Sequence, residues 1–429
     1  MKFAYYPGCA AEGSGVEYGM SMERTAEILD FELQELEDWN CCGATSGHNT
    51  DKLLSLALPA RTLAIAEKIG LNTIVAPCAA CYSRHRHAEH AIQHDPAMKK
   101  KIEAVLETEL KGDAETLSIL DVLVNKIGTD AIAAKVVNPL TTMKAACYYG
   151  CLLVRPVEYT GFDDEEDPQT MDKVMKALGA EPVEWSHKTE CCGAAMVTSR
   201  PDVGMPMLYR VLKDAKESGA ECLVTACPLC GLNLDMRQAA VEKQFKETFN
   251  LPIYYVTELL AIACGDEYKK VGIEKHFVEA GKYLETVKIR AAEAKIAAEK
   301  AAEEAAAKAK AKAEAAKAAK EKAAQAKAAK EAEGGTKEPS STAAPTETKP
   351  TEPDPKKVEA FVTALTKNPD KMSAKLVADP AQAGILAATL DEKRIAKLAG
   401  LMAKDMELAK KAAQAFVQAE LKKQGECQD

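Results

Sequence analysis

The triplet Cys41-Cys42-Gly43 occurs a second time in this chain, as Cys191-Cys192-Gly193. One cysteine precedes each doublet and a C-x-x-C pair follows it, at a nearly equal distance in the two copies. Such a recurrence of five cysteines in the same order indicates an internal duplication. We call the two groups the first and second cysteine sets; they are Cys9, Cys41, Cys42, Cys78, Cys81 and Cys151, Cys191, Cys192, Cys227, Cys230.

Five thiols in each set are typical of a metal site rather than of a disulfide framework. Adjacent cysteines do not ordinarily form an unstrained disulfide with each other, whereas two neighbouring thiolates can reach one inorganic cluster. Structural zinc is the alternative, but zinc takes four tetrahedral ligands and would leave one cysteine of each set without a role. The residues therefore favour an iron–sulfur site in each copy.

Composition argues against several classes of protein. The chain has 429 residues, 14 of them cysteine, and its formal net charge of −9 argues against nucleic acid as the main partner. No apolar run is long enough to span a bilayer, and Met1-Lys2 leads into Phe3 without the apolar segment of a signal peptide. We therefore expect a cytoplasmic protein without a transmembrane segment.

Strands and helices alternate along the first two thirds of the chain, and each cysteine group follows a predicted strand. This order predicts an α/β fold with parallel sheets, in two halves related by a pseudo-two-fold axis, with both cysteine sets facing a common cleft. A helix is predicted over 50–69, kinked or split at Pro59. The strands are predicted at 3–8, 31–36, 73–76, 145–149, 183–185 and 222–226.

The last third of the chain changes character. Ala, Lys and Glu fill 285–333 almost exclusively, which predicts a helical spacer, and 334–356 is rich in Pro, Thr and Ser, which predicts a disordered linker. Helical periodicity returns over 357–425 and predicts a small all-α module. The two cysteine repeats are expected to occupy one domain each, 1–141 and 142–284.

The pattern C…CCG…C-x-x-C resembles that of the cysteine-rich CCG domain. The tandem copy, with Tyr148–Pro156 (YYGCLLVRP) and Gly161–Asp164 (GFDD), is similar to the B subunit of heterodisulfide reductase over residues 1–290. This resemblance implies that each cysteine set holds a noncubane [4Fe-4S] cluster through its five thiolates, and that a disulfide is cleaved between the two clusters. All ten ligand positions are filled in this sequence.

The resemblance also implies an activity, that of the catalytic iron–sulfur subunit of a heterodisulfide reductase-like oxidoreductase. This chain has neither a ferredoxin-type cysteine run nor a Rossmann or P-loop signature. Electrons are therefore expected from partner subunits, a ferredoxin-like iron–sulfur subunit and a flavoprotein subunit. Two alternatives stay open: a CCG iron–sulfur subunit of another respiratory oxidoreductase that passes electrons to quinone, and an iron–sulfur scaffold without turnover.

Other residues near the cysteine sets are weaker candidates. The run Arg84-His85-Arg86-His87 predicts a cationic helix, which is either a solvated face or a holder for an anionic substrate. His48 and His187, near the two doublets, are hypothetical hydrogen-bond donors to cluster sulfur. The remaining cysteines are interpreted as packing residues or, for the last, as part of an exposed tail: Cys147, Cys222, Cys264 and Cys427.

Overall fold

The protein is described by a computed structural model that covers residues 1–297, 299–300, 355–377 and 379–425. The chain divides into two units, Met1–Lys322 and Ala323–Asp429, which we call the core unit and the C-terminal unit. The predicted spacer beyond residue 300 and nearly all of the predicted linker lie outside the described residues.

Two four-stranded sheets form the centre of the core unit, one in each cysteine repeat. The strands are β1 (Lys2–Tyr5), β2 (Glu32–Glu35), β3 (Thr73–Val75), β4 (Glu115–Leu117), β5 (Lys144–Tyr148), β6 (Glu181–Pro182), β7 (Cys222–Thr225) and β8 (Ile253–Tyr255). Their orders are β2-β1-β3-β4 and β6-β5-β7-β8, and every pairing is parallel. The predicted α/β fold with two equivalent parallel sheets is confirmed.

Helices connect these strands, because parallel neighbours need a crossover connection. Short π-helical and 3₁₀ turns add to them at Val122–Ile127, Tyr268–Val271 and Ile273–Lys275. The helices of the core unit are α1 (Gly8–Ala11), α2 (Val16–Ile28), α3 (Gly47–Thr50), α4 (Lys52–Ile69), α5 (Ala79–His94), α6 (Pro96–Leu106), α7 (Ile119–Asp121), α8 (Thr129–Lys135), α9 (Thr170–Ala177), α10 (Met196–Ser199), α11 (Pro201–Glu217), α12 (Pro228–Met236), α13 (Gln238–Phe245), α14 (Val256–Ala263) and α15 (281–297).

The predicted break at Pro59 is not a division of the helix. Pro59 lies inside α4, which continues from Lys52 to Ile69. Leu56 and Leu63, on either side of the proline, are buried in the core. Tertiary packing on both sides therefore keeps one helix where the proline alone favours an interruption.

The strand predicted at 183–185 is wrong, because β6 pairs with β5 through Glu181 and Pro182. Trp185 is buried and donates its indole N–H to the carbonyl oxygen of Cys147 at 3.1 Å. The strands β4 and β8, at corresponding edges of the two sheets, have no counterpart in the sequence prediction. No cysteine group follows either of them, so the repeat pattern gave no signal there.

The two repeats pack against each other through α2 and α14. Tyr18 and Tyr255 stack with ring centroids 4.3 Å apart, and the hydroxyl oxygens of Ser21 and Thr257 are 2.7 Å apart. All four side chains are buried. Tyr18 also donates a hydrogen bond to the carbonyl oxygen of Pro77 at 3.0 Å, in the turn that carries the C-x-x-C pair of the first cysteine set. Packing between the repeats is thus linked to a cysteine turn.

A buried charged cluster joins the chain after α14 to the second repeat. The side chain of His276 is 2% exposed, with Nδ1 3.1 Å from Asp235 Oδ2 and Nε2 3.0 Å from Glu258 Oε1. Burial lowers the pKa of His276, but the charge of Glu258 and the hydrogen bonds to both carboxylates outweigh burial and raise that pKa to about 10. The imidazole is therefore a buried cation at neutral pH.

The segment after this cluster stays packed against the core. Leu284 and Val287 of α15 are buried, and Arg290 forms an ion pair with Glu221 at 2.7 Å. The domain boundaries proposed from the sequence stay predictions. A truncation that preserves the core has to leave the chain intact through Arg290.

The C-terminal unit has an apolar core of its own, which includes Leu365, Leu386, Leu398 and Val417. The predicted all-α C-terminal region is confirmed. Its described helices are α16 (Pro355–Lys367), α17 (Pro369–Leu376), α18 (Pro380–Ala388), α19 (Glu392–Lys404) and α20 (Met406–Gly425).

Candidate metal centre

The cysteine groups of each repeat lie at one edge of its sheet. Because β1, β2 and β3 run parallel, their carboxyl ends meet at the same edge. Cys9 follows β1, Cys41 and Cys42 follow β2, and Cys78 and Cys81 follow β3. The second cysteine set follows β5, β6 and β7 in the same way. Parallel topology thus gathers residues that are far apart in the sequence.

Four thiols of the first cysteine set form a continuous series of contacts. Cys41 is hydrogen-bonded to Cys42, the sulfur of Cys42 lies 3.2 Å from that of Cys81, and Cys81 is hydrogen-bonded to Cys78. The last three are buried, whereas Cys41 and Cys9 are exposed. Cys9 and Cys41 interact electrostatically. The first cysteine set therefore has a buried interior and an exposed rim.

All five thiols of the second cysteine set are in contact. Cys151 is hydrogen-bonded to Cys191, Cys191 to Cys192, and Cys230 to Cys227. The sulfurs of Cys192 and Cys230 are 3.6 Å apart. No member of this set is exposed, so it is more enclosed than the first cysteine set.

The two cysteine sets meet at their C-x-x-C pairs. Cys78 of the first set and Cys227 of the second are hydrogen-bonded to each other, and both are buried. The series of sulfur contacts therefore runs from one repeat into the other. Residues from two sheets form a single thiol-lined site.

Hydrogen bonding between thiols keeps some of them ionised. Bonds from Cys41 and Cys81 lower the pKa of Cys42 to about 3, and bonds from Cys151 and Cys192 lower the pKa of Cys191 to about 3. The thiolate is the form that binds metals. The pKa of Cys227 in the second set is lowered as well, by hydrogen bonds from Cys230 and Cys78, so both sets hold thiolates that can bind metal.

Two glycines leave space beside the sulfurs. A Cβ atom on Gly8 would lie 3.3 Å from Cys81 Sγ, and a Cβ atom on Gly150 would lie 3.2 Å from Cys230 Sγ. Both glycines have a positive φ, +72° and +68°, which other residues adopt at a cost. The same feature in both repeats points to a bulky group that must approach the backbone next to these cysteines.

A tyrosine holds each doublet loop from the strand side. Tyr6 donates its hydroxyl to the carbonyl oxygen of Asn40 at 2.8 Å, and Tyr148 donates to that of Glu190 at 2.6 Å. In both repeats the acceptor is the residue directly before the doublet. The sequence pattern did not predict a role for these two residues, although each stands three positions before the upstream cysteine.

The fit to an iron–sulfur cluster depends on the sulfur contacts and on the space beside them. Within the described parts of the chain, no three or more His, Cys, Asp or Glu side chains are arranged to hold a single metal ion. The sulfurs instead contact one another in series. They lie beside Gly8 and Gly150, where the Cβ atom of any other residue would crowd a cysteine sulfur. These features fit a multinuclear group bound by several thiolates. The ligand assignment itself stays a prediction.

The predicted cationic helix is only partly a charged surface. His85 is fully buried, and Arg86 forms an ion pair with Glu89 at 2.6 Å. Arg84 and His87 line a cavity of about 340 Å³ beside the loop that follows the first doublet. The lining residues are His48, Asn49, Thr50, Asp51, Lys52, Ser55, Arg84 and His87.

The two histidines proposed as sulfur donors have different surroundings. Nδ1 of His187 lies 3.0 Å from both Ser186 Oγ and Asp214 Oδ2, so these groups are its polar contacts. His48 is exposed, and its backbone N–H donates to the carbonyl oxygen of Gly43 at 3.3 Å. A role toward cluster sulfur stays a hypothesis for both.

The cysteines outside the two sets lie away from these sulfur contacts. Cys147 and Cys222 are buried in β5 and β7; Cys147 is hydrogen-bonded to Asp172, and Cys222 donates to the carbonyl oxygen of Lys144 at 3.8 Å. Cys264 is half-buried at the end of α14. Cys427 lies outside the described residues.

Comparison with known proteins places the chain in a family. The model of the cysteine-rich domain CCG matches residues 3–84 and 145–235, which are the two repeats. The chain is 32% identical over 284 residues to the 8-methylmenaquinol:fumarate reductase membrane anchor subunit of Wolinella succinogenes, covering 66% of this chain and 98% of that protein. It is 27% identical over 289 residues to the B subunit of the ferredoxin:CoB-CoM heterodisulfide reductase of Methanosarcina mazei, covering 66% and 96%.

A solved structure supports the fold alone. The crystal structure of a hypothetical protein from Helicobacter pylori aligns with this chain with a TM-score of 0.52 and 12% sequence identity. The alignment covers 65% of this chain and 52% of the Helicobacter pylori chain. Across the helices that the structure describes, none has the length and apolar character needed to cross a membrane. From the two matched repeats and the relatives covered almost end to end, we conclude that this chain belongs to the family of tandem cysteine-rich CCG domain proteins.

Proposed function

We propose that this chain is the catalytic subunit of a heterodisulfide reductase-like oxidoreductase. It would reduce a disulfide to two thiols with two electrons from partner subunits and two protons. The contact between Cys78 and Cys227 carries this proposal, because it joins two equivalent cysteine sets into one site. Two such half-sites facing each other would each take one of the two sulfur atoms that the reaction separates.

The ten cysteines of the two sets are proposed to hold two noncubane [4Fe-4S] clusters, five thiolates to each. When bound, the clusters would supply electrons one at a time, whereas cleavage of a disulfide takes two. The chain itself positions the sulfurs: Tyr6 and Tyr148 fix the doublet loops, and burial of Cys42 and Cys192 keeps water from the interior.

Entry of the substrate is proposed on the side of the first cysteine set. Cys9 and Cys41 are exposed there, whereas their counterparts in the second set are half-buried. The cavity beside the first doublet presents Lys52 and Arg84. These two basic side chains outnumber the one acidic side chain of the lining, Asp51, and so favour a substrate that carries an acidic group.

A second candidate function is electron exchange with a quinone. The relative from Wolinella succinogenes is a subunit of an 8-methylmenaquinol:fumarate reductase, and its identity to this chain is 32%. In that case the clusters would connect a quinone site to partner subunits, and no disulfide would be consumed.

The partners proposed for the first function, disulfide reduction, are a ferredoxin-like iron–sulfur subunit and a flavoprotein subunit, and the proposed location of the complex is the cytoplasm.

The two functions are separated by assaying the native complex under anaerobic conditions. When a low-potential donor supplies electrons, the complex is expected to reduce each low-molecular-weight disulfide to two thiols. Cys227→Ser is expected to abolish this thiol release. Cys147→Ser, a buried cysteine outside both sets, is the matched control and should retain activity. Reduction of a menaquinone analogue without thiol release would favour the second function, and neither activity would favour a scaffold.

A further inference from the structure

His85 is a buried side chain without a protein partner. It lies on α5, four residues after Cys81, and its exposed fraction is 0%. Among the described residues, neither ring nitrogen has a hydrogen-bond partner. Buried polar groups are almost always hydrogen-bonded, and an exception commonly marks an ion or ligand. The imidazole therefore needs a partner that the polypeptide does not supply.

The surroundings of His85 belong to the first cysteine set. The ring of Tyr6 packs edge-on against the imidazole with centroids 4.5 Å apart, and Tyr6 also holds the first doublet loop. Cys42 and His85 act on each other electrostatically, since each favours the charged form of the other. Burial disfavours the charged imidazolium, and the neutral ring carries one N–H that can donate a hydrogen bond.

The second repeat meets the same need differently. The residue four positions after its C-x-x-C pair is Leu234, which has no polar group. Asn233, one position earlier, donates its amide to Cys192 Sγ at 3.5 Å. In the second cysteine set, a side-chain N–H thus donates a hydrogen bond to a cysteine sulfur. Beside the first set, the corresponding donor is His85, which has no acceptor among the described residues.

We propose that His85 is a positioning residue that donates its N–H to a sulfur atom of the cluster held by the first cysteine set. This inference rests on the proposed cofactor. Reduction adds negative charge that spreads over the cluster sulfurs, and a hydrogen bond from an N–H stabilises that charge. His85 therefore makes the cluster of the first set easier to reduce, and the two halves of the site differ in the kind of donor they use.

The test compares His85→Leu, which places the residue of the second repeat at this position, with His85→Gln, which keeps an N–H donor. With ¹⁵N-labelled histidine, pulsed EPR of the reduced wild-type protein is expected to show a nitrogen coupling to one cluster. His85→Leu should lose that coupling and make one cluster about tenfold harder to reduce, ~59 mV for one electron. His85→Gln should lose the coupling but recover most of the potential.

Controls separate this inference from the proposed function. His94→Gln, an exposed histidine at the end of the same helix, should keep both the coupling and the potential. Iron-loaded wild-type protein without a histidine coupling, or an unchanged potential in iron-loaded His85→Leu, would overturn the role of His85 and leave the proposed function standing. Wild-type protein without iron would overturn both. If His85→Leu loses iron from the first set, His85→Gln and the labelled wild type still decide the question.

Discussion

Replacing Gly8 by alanine tests whether the space beside Cys81 is there for a bound group. The positive φ of Gly8, +72°, costs an alanine roughly 1–2 kcal/mol. The new Cβ would also lie 3.3 Å from Cys81 Sγ, closer than ordinary contact, and such overpacking adds about 1–3 kcal/mol. We expect Gly8→Ala to lower the free energy of unfolding by roughly 2–5 kcal/mol.

Gly70→Ala is the matched control for backbone strain. Gly70 ends α4 with a φ of +73°, almost the same as that of Gly8, but nothing lies within 4 Å of the position that its new Cβ would occupy. It should therefore show only the roughly 1–2 kcal/mol of backbone strain. The difference between the two variants isolates the crowding around the new Cβ, which involves Cys81 Sγ and, at 3.4 Å, the ring of Tyr6.

Denaturant unfolding measures both free energies, and iron analysis measures the consequence for the site. Gly8→Ala should lose the iron of the first cysteine set while Gly70→Ala keeps the full content. Equal destabilisation of the two variants, or full iron in Gly8→Ala, would refute the argument that Gly8 leaves room for a cluster.

Three further outcomes are expected. The folded-state pKa of His276 is raised from 6.5 to about 10, so its contribution to stability is complete below pH 6.5 and is lost as the pH rises toward 10. Denaturant titrations at several pH values should therefore show a fall in the free energy of unfolding over this range, and His276→Gln should flatten it. The same fall in His276→Gln would contradict the assignment. Arg84→Ala and Lys52→Ala should raise KM for an acidic disulfide with little change in kcat. Lys100→Ala, at an exposed lysine outside the cavity, should leave KM unchanged. An equal change in KM in all three variants would argue against the cavity as a substrate site. If the C-terminal unit is a docking element, a chain ending at residue 300 should keep its iron and its unfolding transition but lose a partner in pull-downs. An identical set of partners would show that the unit is a passive extension.

Much of the fold was accessible from the sequence because the cysteines mark the carboxyl ends of strands. Duplicated spacing predicted two equivalent parallel sheets, and both are present. The exceptions have physical causes. Trp185 has high strand propensity, yet it packs into the core beside a ladder that ends earlier, and Pro59 is held in a helix by its buried neighbours.

The candidate site was less accessible than the fold. A run of four basic residues predicts one charged face, but helix rotation separates them and turns His85 inward. The spacing from Cys81 to His85 to Glu89, four residues each, was the available signal, since all three lie on the buried face of α5. The contact between Cys78 and Cys227 depends on the packing of two repeats and has no local signature.

The iron content of the anaerobically purified protein tests the central claim most directly. Two clusters of four predict about eight irons per chain. Cys42→Ser and Cys192→Ser should each reduce this to about half, and Cys147→Ser should leave it unchanged. Stoichiometric zinc with little iron, or full iron in both doublet variants, would contradict the account.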